Sequence, residues 1–547
     1  MERSLNEAVA ELGARLQAGS ERHFPLMGLK GAAGPLILRE AALALRRPIV
    51  VVTPLPAEAE SLAAEMGFFL GQAPRDGAAE RPLYLHTGWE VTPFARISPP
   101  LDNQSAEFVA LYALLRAPAP LVVTSVEALM TRTMPRRVLE NSVLKLTLGD
   151  RVDLEGVVSE LAAIGYQRLP QTEEPGDFSV RGGIIDLFSP LYERPLRLEL
   201  EDDVLSSIRF FDPADQRSLE EVLEAIVIPA RFIPPGALRD KRLRDRVELR
   251  AAEIGLVRKE VAELTEALES GLLFPGVENL MPYMFDEPLD TLFDFLPESA
   301  LTWLVEPGRI IAQAHRFADR IAEEAEQNQS RHAYFPPPDS LFLDADDLQR
   351  RLAEQVTVDV GSVVTVRTPQ AGYAVPIEVK SQPSLKLTAG AKDGHKVPSF
   401  EPLVAELNQI RRGQSRALFV VDGPSQAHRL RRHLEAYGFE VNAKVENFAG
   451  FLQADAGLPA IMEGEITAGA VLERDGLYIY SEEDIFGEPR ARRRSRPVAK
   501  GILVNLEELR AGDFVVHLDH GIGRYRGLKH LKVAETEGDF LNLEYLG

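Results

Sequence analysis

A glycine-rich turn near the start of the chain has the residue types that come closest to a chemical site. Residues 25–38 read PLMGLKGAAGPLIL: an apolar lead-in, a glycine-rich turn and the beginning of an amphipathic run. This is the layout of a loop that binds nucleotide phosphates. A working loop follows the pattern G-x-x-x-x-G-K-S/T, in which the lysine reaches the β- and γ-phosphates and the hydroxyl holds Mg²⁺.

The turn lacks the residues that this chemistry requires. When the pattern begins at Gly28 and runs through Gly31, the second glycine falls on Ala33, the lysine on Gly34 and the hydroxyl residue on Pro35. Proline also removes a backbone amide, and such loops hold phosphate with amides. We therefore expect a nucleotide-binding fold that has lost its nucleotide chemistry. A plain glycine turn before a helix is the alternative.

The remaining residues indicate no catalytic or metal site. The chain has no cysteine, which excludes disulfides, thiolate ligands and cysteine nucleophiles. Its ten histidines show no HExxH spacing, and His517 and His520 lack a third ligand. We expect no catalytic residue, no metal and no cofactor in this chain.

Composition predicts a cytoplasmic protein of several domains. The chain has 547 residues, of which 45% are hydrophobic and 26% charged, as in ordinary globular proteins. It shows no apolar run of membrane-spanning length and no signal peptide, and the lack of cysteine fits the cytoplasm. The net charge of −22 argues against DNA binding over the whole surface and favours protein partners.

A basic run, RARRRSR, interrupts this acidic chain at residues 490–496. Such runs are commonly solvated linkers. The alternative is a local contact with nucleic acid or with an acidic protein face, and the candidate residues are Arg490, Arg492, Arg493, Arg494 and Arg496.

The order of predicted elements indicates an α/β protein with an insert. Residues 21–135 alternate short apolar strands with helices, which predicts a parallel sheet. Residues 141–233 consist mainly of strands separated by turn residues, which predicts a small, mostly antiparallel α+β insert. Residues 234–355 return to helix, with an extended linker expected over the proline-rich stretch 327–341. A second α/β pattern follows around residues 416–481.

Three further strands are predicted at the end of the sequence, over Phe514–Leu518, Gly523–Val533 and Phe540–Tyr545. Small barrels close only with more strands than this. Because the third strand runs almost to the last residue, we expect a partial barrel that a longer chain would complete.

Four stretches carry the most specific patterns. They read GWEVTPFARISPPLD at 88–102, YQRLPQTEEPGDFSVRGGIIDLFSP at 166–190, SEEDIFGEPRARRR at 481–494 and DFVVHLDHGIGRYRGL at 513–528. Together and in this order they resemble the N-terminal half of the bacterial transcription-repair coupling factors, the Mfd family. The excision-repair protein UvrB shares the F-x-V-R-G-G-I-I-D-L-F pattern, but it has an intact phosphate loop and lacks the last stretch, which resembles a CarD-like module that contacts RNA polymerase.

The resemblance implies a multidomain α/β fold. Its parts would be a UvrB-like parallel-sheet domain with a degenerate P-loop (1–140), an inserted α+β UvrA-binding domain (141–233), a helical return to the UvrB-like module with a linker (234–355), a second α/β domain (356–488), a basic linker (489–510) and the start of the RNA polymerase-interacting domain (511–547), a partial SH3/Tudor-like β-barrel.

The resemblance also implies two sets of binding residues. The residues that match the UvrA-binding positions of the family are Arg168, Arg181 and Phe188, although Phe188 at the end of an alternating strand could equally be a core residue. The candidates for contact with the RNA polymerase β subunit are Leu528, His530 and Leu531, on a strand whose exposed edge would pair with the partner. Leu531 could instead be barrel core.

The function implied by the resemblance is transcription-coupled DNA repair: RNA polymerase stalled at a lesion is displaced, and the UvrA/UvrB excision machinery is recruited. These residues would form the non-catalytic recruitment half. ATP, Mg²⁺ and double-stranded DNA would be bound by a C-terminal motor whose motifs are not present in these 547 residues. Two alternatives stay open, a UvrB-like ATP-dependent DNA-damage-binding helicase subunit and a CarD-like transcription regulator.

Overall fold

The computed structural model describes the chain in two compact units, residues 1–487 and 488–547. The described residues are 3–71, 83–91, 97–271, 273–330, 334–361, 377–379, 381, 390–392, 395–397, 401–442, 445–486, 514–517, 521–533 and 536–544. Within them, no helix is both long and apolar enough to cross a membrane.

The first part of the chain alternates strands and helices. Its continuous apolar runs form strands that are buried because helices cover both faces of their parallel sheet. The elements are α1 (Leu5–Ala18), β1 (His23–Met27), α2 (Ala33–Leu45), β2 (Ile49–Thr53), α3 (Pro56–Leu70), β3 (Leu83–His86), α4 (Leu101–Arg116), β4 (Leu121–Ser125), α5 (Val126–Met130) and α6 (Arg136–Asn141).

The insert is a six-stranded sheet with one helix and a separate strand pair. Its elements are β5 (Leu144–Thr147), α7 (Leu154–Ala163), β6 (Gln167–Arg168), β7 (Asp177–Arg181), β8 (Ile184–Leu187), β9 (Leu196–Glu201), β10 (Val204–Phe211), β11 (Ser218–Glu221) and β12 (Glu224–Val227). The strand order is β11-β10-β9-β8-β7-β6, and β5 pairs with β12. The pairs are antiparallel except β6 with β7.

Helices dominate the part after the insert. The elements are α8 (Lys241–Glu253), α9 (Arg258–Ser270), α10 (Met281–Met284), β13 (Leu301–Val305), α11 (Pro307–Ser330), α12 (Pro338–Leu341), α13 (Ala345–Glu354), β14 (Thr357–Gly361), β15 (Ile377–Glu378), β16 (Gly390–Lys392) and β17 (His395–Val397). The charged helical run is broken at Gly255, whose φ of +66° ends the first helix.

The proline-rich stretch 327–341 is not the extended linker that we expected. Helix α11 continues to Ser330, and α12 begins at Pro338. Between them Phe335 is buried, with the Arg250 guanidinium 5.3 Å from its ring centre. Burial of Phe335 and Leu341 holds residues 334–341 against the helices, an effect that composition alone does not reveal.

The main sheet has seven parallel strands in the order β15-β1-β14-β13-β2-β4-β3. We expected a second α/β domain to begin at residue 356, but β14 pairs with both β1 and β13. The first sheet therefore includes strands from beyond that boundary. Periodicity identifies a buried strand but not the strand with which it pairs, which is why the boundary needs this correction.

A second, four-stranded sheet follows. Its elements are α14 (Glu401–Arg412), β18 (Arg416–Val421), α15 (Pro424–Ala436), α16 (Phe448–Gln453), β19 (Ala460–Glu463), β20 (Ala470–Leu472), β21 (Leu477–Tyr480) and α17 (Glu482–Phe486). The order is β19-β18-β21-β20, with only β20 antiparallel. The Phe448 ring meets Phe69 of α3 edge-on at 4.9 Å, so the two sheets share an apolar core.

The unit at the end of the chain is a three-stranded antiparallel sheet. Its strands are β22 (Phe514–His517), β23 (Gly521–Val533) and β24 (Thr536–Glu544), with β23 in the middle. All three strands were predicted from the sequence. The described residues thus form a multidomain α/β protein with one parallel sheet, two mixed sheets and further antiparallel pairs and sheets.

Candidate functional site

The insert is anchored to the first domain by one buried glutamine and a group of aromatic rings. Gln104 of α4 accepts a hydrogen bond from the backbone amide of Phe232, where the chain leaves the insert, at 3.0 Å. The Phe232 ring lies 5.1 Å from Phe108 and 5.9 Å from Trp89, measured between ring centres. Trp89 and helix α4 therefore help to hold the base of the insert in place.

The two predicted UvrA-binding arginines are on neighbouring strands at one edge of the insert sheet. Arg168 is on β6, the edge strand, and Arg181 is the last residue of β7 beside it; both are exposed. The guanidinium of Arg181 donates to the carbonyl oxygen of Pro170 at 2.8 Å, just beyond Arg168. This contact orients Arg181 along the edge without neutralising its charge.

The turn that follows Arg181 is exposed and well defined. Gly182 has a φ of +61°, which favours glycine, and a side chain there would meet no atom within 4 Å. At Gly183 the carbonyl accepts from the Leu200 amide at 2.8 Å, and an added Cβ would come within 2.8 Å of the Leu200 carbonyl oxygen. The two glycines therefore let β7 turn tightly into β8 while leaving Arg181 accessible.

Phe188, the third predicted binding residue, lies inside the insert. Only 7% of the residue is exposed, and its amide donates to the Asp177 carbonyl at 3.0 Å. This burial favours the core role that the sequence left open.

An ion pair between Asp186, which is buried, and Arg197, which is half-buried, supports the same sheet. The Nε and Nη2 atoms of Arg197 on β9 donate to the two carboxylate oxygens of Asp186 on β8, at 2.7 and 3.0 Å. Asp186 is 3% exposed, and the carboxylate raises the pKa of Arg197. The alternating pattern LRLELE predicted the strand, but only the register, which sets Asp186 opposite Arg197, reveals the pair.

The glycine-rich turn joins β1 to α2 and is held by the neighbouring strand β14 and by Ser381. The Gly28 amide donates to the Gly361 carbonyl at 3.1 Å. The Ser381 hydroxyl accepts from the Lys30 amide at 2.8 Å and donates to the Gly28 carbonyl at 2.9 Å. Of the other predicted positions, Ala33, Gly34 and Pro35 form the first turn of α2.

The second sheet covers this turn. Gly31 lies so close to the carbonyl of Gly469 that a side chain at residue 31 would collide with it. The Glu65 carboxylate of α3 accepts from the Thr467 amide at 2.5 Å, and the Asp484 carboxylate accepts from the Gly469 amide at 2.8 Å. Burial raises the pKa of Glu65. Two carboxylates therefore fix residues 467–469 against the turn.

A cavity of about 460 Å³ remains beside the turn. Its lining includes Gly31, Gly34 and Pro35, together with Glu58 and Arg309, which form an ion pair at 2.6 Å. Because Arg309 is already paired, the cavity presents carboxylates and apolar side chains rather than an excess of positive charge. In the part of the chain that the structure describes, no group of three or more acidic, histidine or cysteine side chains could hold a metal ion.

The predicted polymerase-binding residues lie on β23. In the register with β24, Leu528 is opposite Leu541, His530 opposite Asp539 and Leu531 opposite Gly538. Strand β22 pairs only with residues 521–524 of β23. Among the strands that the structure describes, residues 528–531 therefore have a partner on one edge only. The predicted arginines of the basic run, residues 490–496, lie outside the described residues.

Two family models match parts of the chain. A family model described as the UvrB interaction domain matches residues 144–232, and one described as the CarD-like/TRCF RID domain matches residues 509–547. The chain is thus a multidomain α/β protein with a UvrB interaction domain and a CarD-like module.

Curated relatives match nearly the whole chain. The chain is 33% identical to the transcription-repair-coupling factor of Myxococcus xanthus over 98% of this chain and 45% of that protein. It is 28% identical to that of Escherichia coli over 97% of this chain and 44% of the relative, and 25% identical to that of Bacillus subtilis over 95% and 43%. The chain is a homologue of the transcription-repair-coupling factors, which confirms the resemblance seen in its motifs, and it spans about half the length of the curated relatives it matches.

Proposed function

We propose that this chain is the recruitment part of a transcription-repair coupling factor, which binds UvrA through the insert and RNA polymerase through its C-terminal sheet. The observation that carries the proposal is the coincidence of the UvrB interaction domain, residues 144–232, with an insert that presents Arg168 and Arg181 on one exposed edge. An arginine fork is suited to carboxylates on a protein partner. Displacement of stalled polymerase on double-stranded DNA would require a motor with ATP and Mg²⁺.

The glycine-rich turn belongs to the same proposal as a degenerate P-loop that serves packing instead of nucleotide binding. Three observations support this role: the missing lysine and hydroxyl, the proline at residue 35, and the backbone of residues 467–469 that covers Gly31. Phosphate binding at a helix N-terminus needs accessible amides and added positive charge, and here carbonyl oxygens approach the turn instead. The UvrA-binding scaffold of UvrB would thus be kept without its enzymatic activity.

The C-terminal sheet is assigned to the RNA polymerase β subunit. The match to the CarD-like/TRCF RID domain and the one-sided pairing of residues 528–531 support docking by strand addition, in which backbone hydrogen bonds supply affinity. We propose that these strands begin an SH3/Tudor-like barrel. A Leu531→Ala variant should weaken capture of a β-subunit fragment, while His517→Ala, on β22, should leave it unchanged.

A binding measurement with purified UvrA tests the main proposal. Arg181→Ala should weaken binding by about tenfold, and Arg168→Ala with it should weaken binding further, since interface arginines are frequent binding hot spots. Arg209→Ala is the matched control, because Arg209 lies on β10 of the same sheet, away from the β6 edge. Absence of UvrA binding, or equal binding by all variants, would contradict the proposal.

Titration with a fluorescent ATP analogue separates this proposal from a UvrB-like enzyme. No saturable binding is expected, because the turn lacks its lysine and is covered by residues 467–469. The contrary outcome is saturable binding that is lost on replacement of Gly34, with Glu65 left intact so that the covering segment stays secured. That result would place a nucleotide at the turn and favour the helicase-subunit alternative.

A further inference from the structure

Helix α15 carries a net positive charge in an acidic chain. Its sequence, PSQAHRLRRHLEA, contains three arginines and two histidines but only one carboxylate, Glu435, in a protein of net charge −22. Leu430 and Leu434 are its buried residues and turn one face of the helix into the core of the second sheet. The helical period of 3.6 residues then directs Arg429 and Arg432 to the opposite face.

The cations on this face are accessible. His428, Arg429 and Arg432 are exposed, and Arg431 is half-buried at the flank. The Arg429 guanidinium lies 4.3 Å from the centre of the Phe486 ring, which orients the group but leaves its charge. Within the part of the chain that the structure describes, Arg431 and Arg432 form no ion pair. We call His428, Arg429, Arg431 and Arg432 the basic helix surface.

Helix α8 shows that this exposure of charge is not general. It is also rich in arginine, yet its arginines are paired: Arg242 and Arg246 with Asp286, Arg244 with Glu269 and Arg250 with Glu253. These exposed pairs neutralise the helix locally even though each contributes little to stability. The basic helix surface has no such set of carboxylates, so its field extends into solvent.

We propose that the basic helix surface binds the phosphate backbone of double-stranded DNA. The three arginines lie within four residues of helix, 429–432, and so span roughly 5 Å along its axis. Duplex DNA carries one negative charge per about 1.7 Å of its axis, so two or three phosphates lie within reach together. The tyrosine that follows the helix, Tyr437, is 48% exposed, and tyrosine hydroxyls are among the groups that bond to phosphate.

The chemistry of the surface favours nucleic acid over an acidic protein. Tight protein interfaces are built around a buried apolar or aromatic anchor, whereas the exposed side of α15 from Ser425 to Glu435 carries only polar and charged residues. Backbone contacts to DNA require positive charge and hydrogen-bond donors, which are the groups present. The proposal is independent of UvrA and polymerase binding, since α15 packs on the second sheet and belongs neither to the insert nor to the C-terminal sheet.

Fluorescence anisotropy of the full chain with a labelled duplex of about 30 base pairs, at 50 to 200 mM salt, tests the proposal. The variant R429Q/R431Q/R432Q should bind at least about tenfold more weakly at the lowest salt, and its slope of log affinity against log salt should be smaller by about 2 to 3. The control R242Q/R244Q/R246Q makes the same change in net charge on α8 and should leave both quantities within about twofold of the parent.

Two features keep the result unambiguous. Both triple variants are also made with glutamine at the five arginines of residues 490–496, so that the basic run cannot mask a loss, and far-UV circular dichroism confirms that each is folded. Equal weakening by the two triple variants would overturn the proposal, because it would reduce the effect to net charge. So would competition by polyglutamate as effective as that by unlabelled duplex, which would assign the surface to an acidic protein.

Discussion

Two glycine turns in this molecule have opposite surroundings. The turn at residues 28–35 has the composition of a phosphate site, but the second sheet covers it and Gly31 lies against the Gly469 carbonyl. The turn at Gly182 and Gly183 has no chemical motif, yet it is open, with Gly182 touching no atom at its side-chain position and Arg181 exposed beside it. Local sequence made the first turn look functional, and tertiary contacts determine that the second is the accessible one.

The difference shows how one scaffold can exchange one role for another. Around the first turn, carboxylates bind backbone within the protein: Glu65 accepts a hydrogen bond from the Thr467 amide, and Asp484 accepts one from the Gly469 amide. Beside the second turn, the buried Asp186 carboxylate pairs with Arg197, whereas Arg168 and Arg181 are exposed. Covering the first turn joins two sheets, and exposing the second creates a surface for a protein partner.

The largest effect is expected at the covered turn. Gly31→Ala should destabilise the protein by about 4 kcal/mol, since alanine is strained at a φ of +53° and its Cβ would displace the Gly469 carbonyl. Urea unfolding followed by the fluorescence of the two tryptophans measures the change, as Trp303 lies in the main sheet. A loss below about 1 kcal/mol would show that the second sheet does not press on the turn.

The buried pair beneath the open turn gives the next largest effect. Asp186→Ala should cost about 3 kcal/mol, because it leaves the Arg197 guanidinium without its carboxylate in a largely buried place. Hydrogen exchange should then accelerate in β8 and β9. Arg181→Ala is the matched comparison on the adjacent strand, and it should change stability by less than about 0.5 kcal/mol. If Arg181→Ala destabilises the insert as strongly, that arginine is structural and the comparison fails.

The sequence predicted the elements of the fold well wherever burial imposes a clear period. The run IVVVT is a strand buried at every residue, and LRLELE is the predicted strand β9. Errors arose where the outcome depends on distant partners. The strand at 357–361 pairs with the first sheet, and the proline-rich stretch is packed by Phe335, because neither pairing nor packing is encoded in a local period.

The candidate site was predictable only in part, for the same reason. Arg168 and Arg181 were named from a motif, and their position on one edge follows from the parallel pairing of β6 with β7, in which Arg168 lies opposite Phe178. The role of Gln104 at the base of the insert could not be foreseen, since its partner, the Phe232 amide, lies 128 residues away. A motif therefore predicts exposed binding residues more readily than buried residues that connect segments distant in sequence.

A buried carboxyl group on the first domain predicts a pH-dependent effect. Burial raises the pKa of Glu107 to about 7, so the folded state holds a proton that the unfolded state releases above its ordinary pKa of 4.5. Stability from this group is therefore present at low pH and lost as pH rises through 7. Glu107→Gln removes the ionisation and should exceed the parent in stability by about 2 kcal/mol at pH 8, and by little at pH 5.

Urea unfolding at several pH values between 5 and 8 measures this difference. Burial lowers the pKa of His86 to about 4, so this histidine destabilises the folded protein as pH falls below 6.5. Because this effect is the same in the parent and in the variant, it cancels in the difference between their stabilities. A difference between the two proteins that does not change with pH would mean that Glu107 is not protonated in the folded state near neutral pH.

The smallest effect, and the sharpest test of the comparison, is expected at the open turn. Gly182→Ala meets the same left-handed backbone as Gly31→Ala, with a φ of +61° against +53°, but it meets no neighbouring atom. It should therefore cost about 1 kcal/mol, the backbone strain alone. The excess cost at Gly31 then measures the contact with the Gly469 carbonyl. Equal costs at the two glycines would show that backbone conformation, and not the covering sheet, distinguishes the closed turn from the open one.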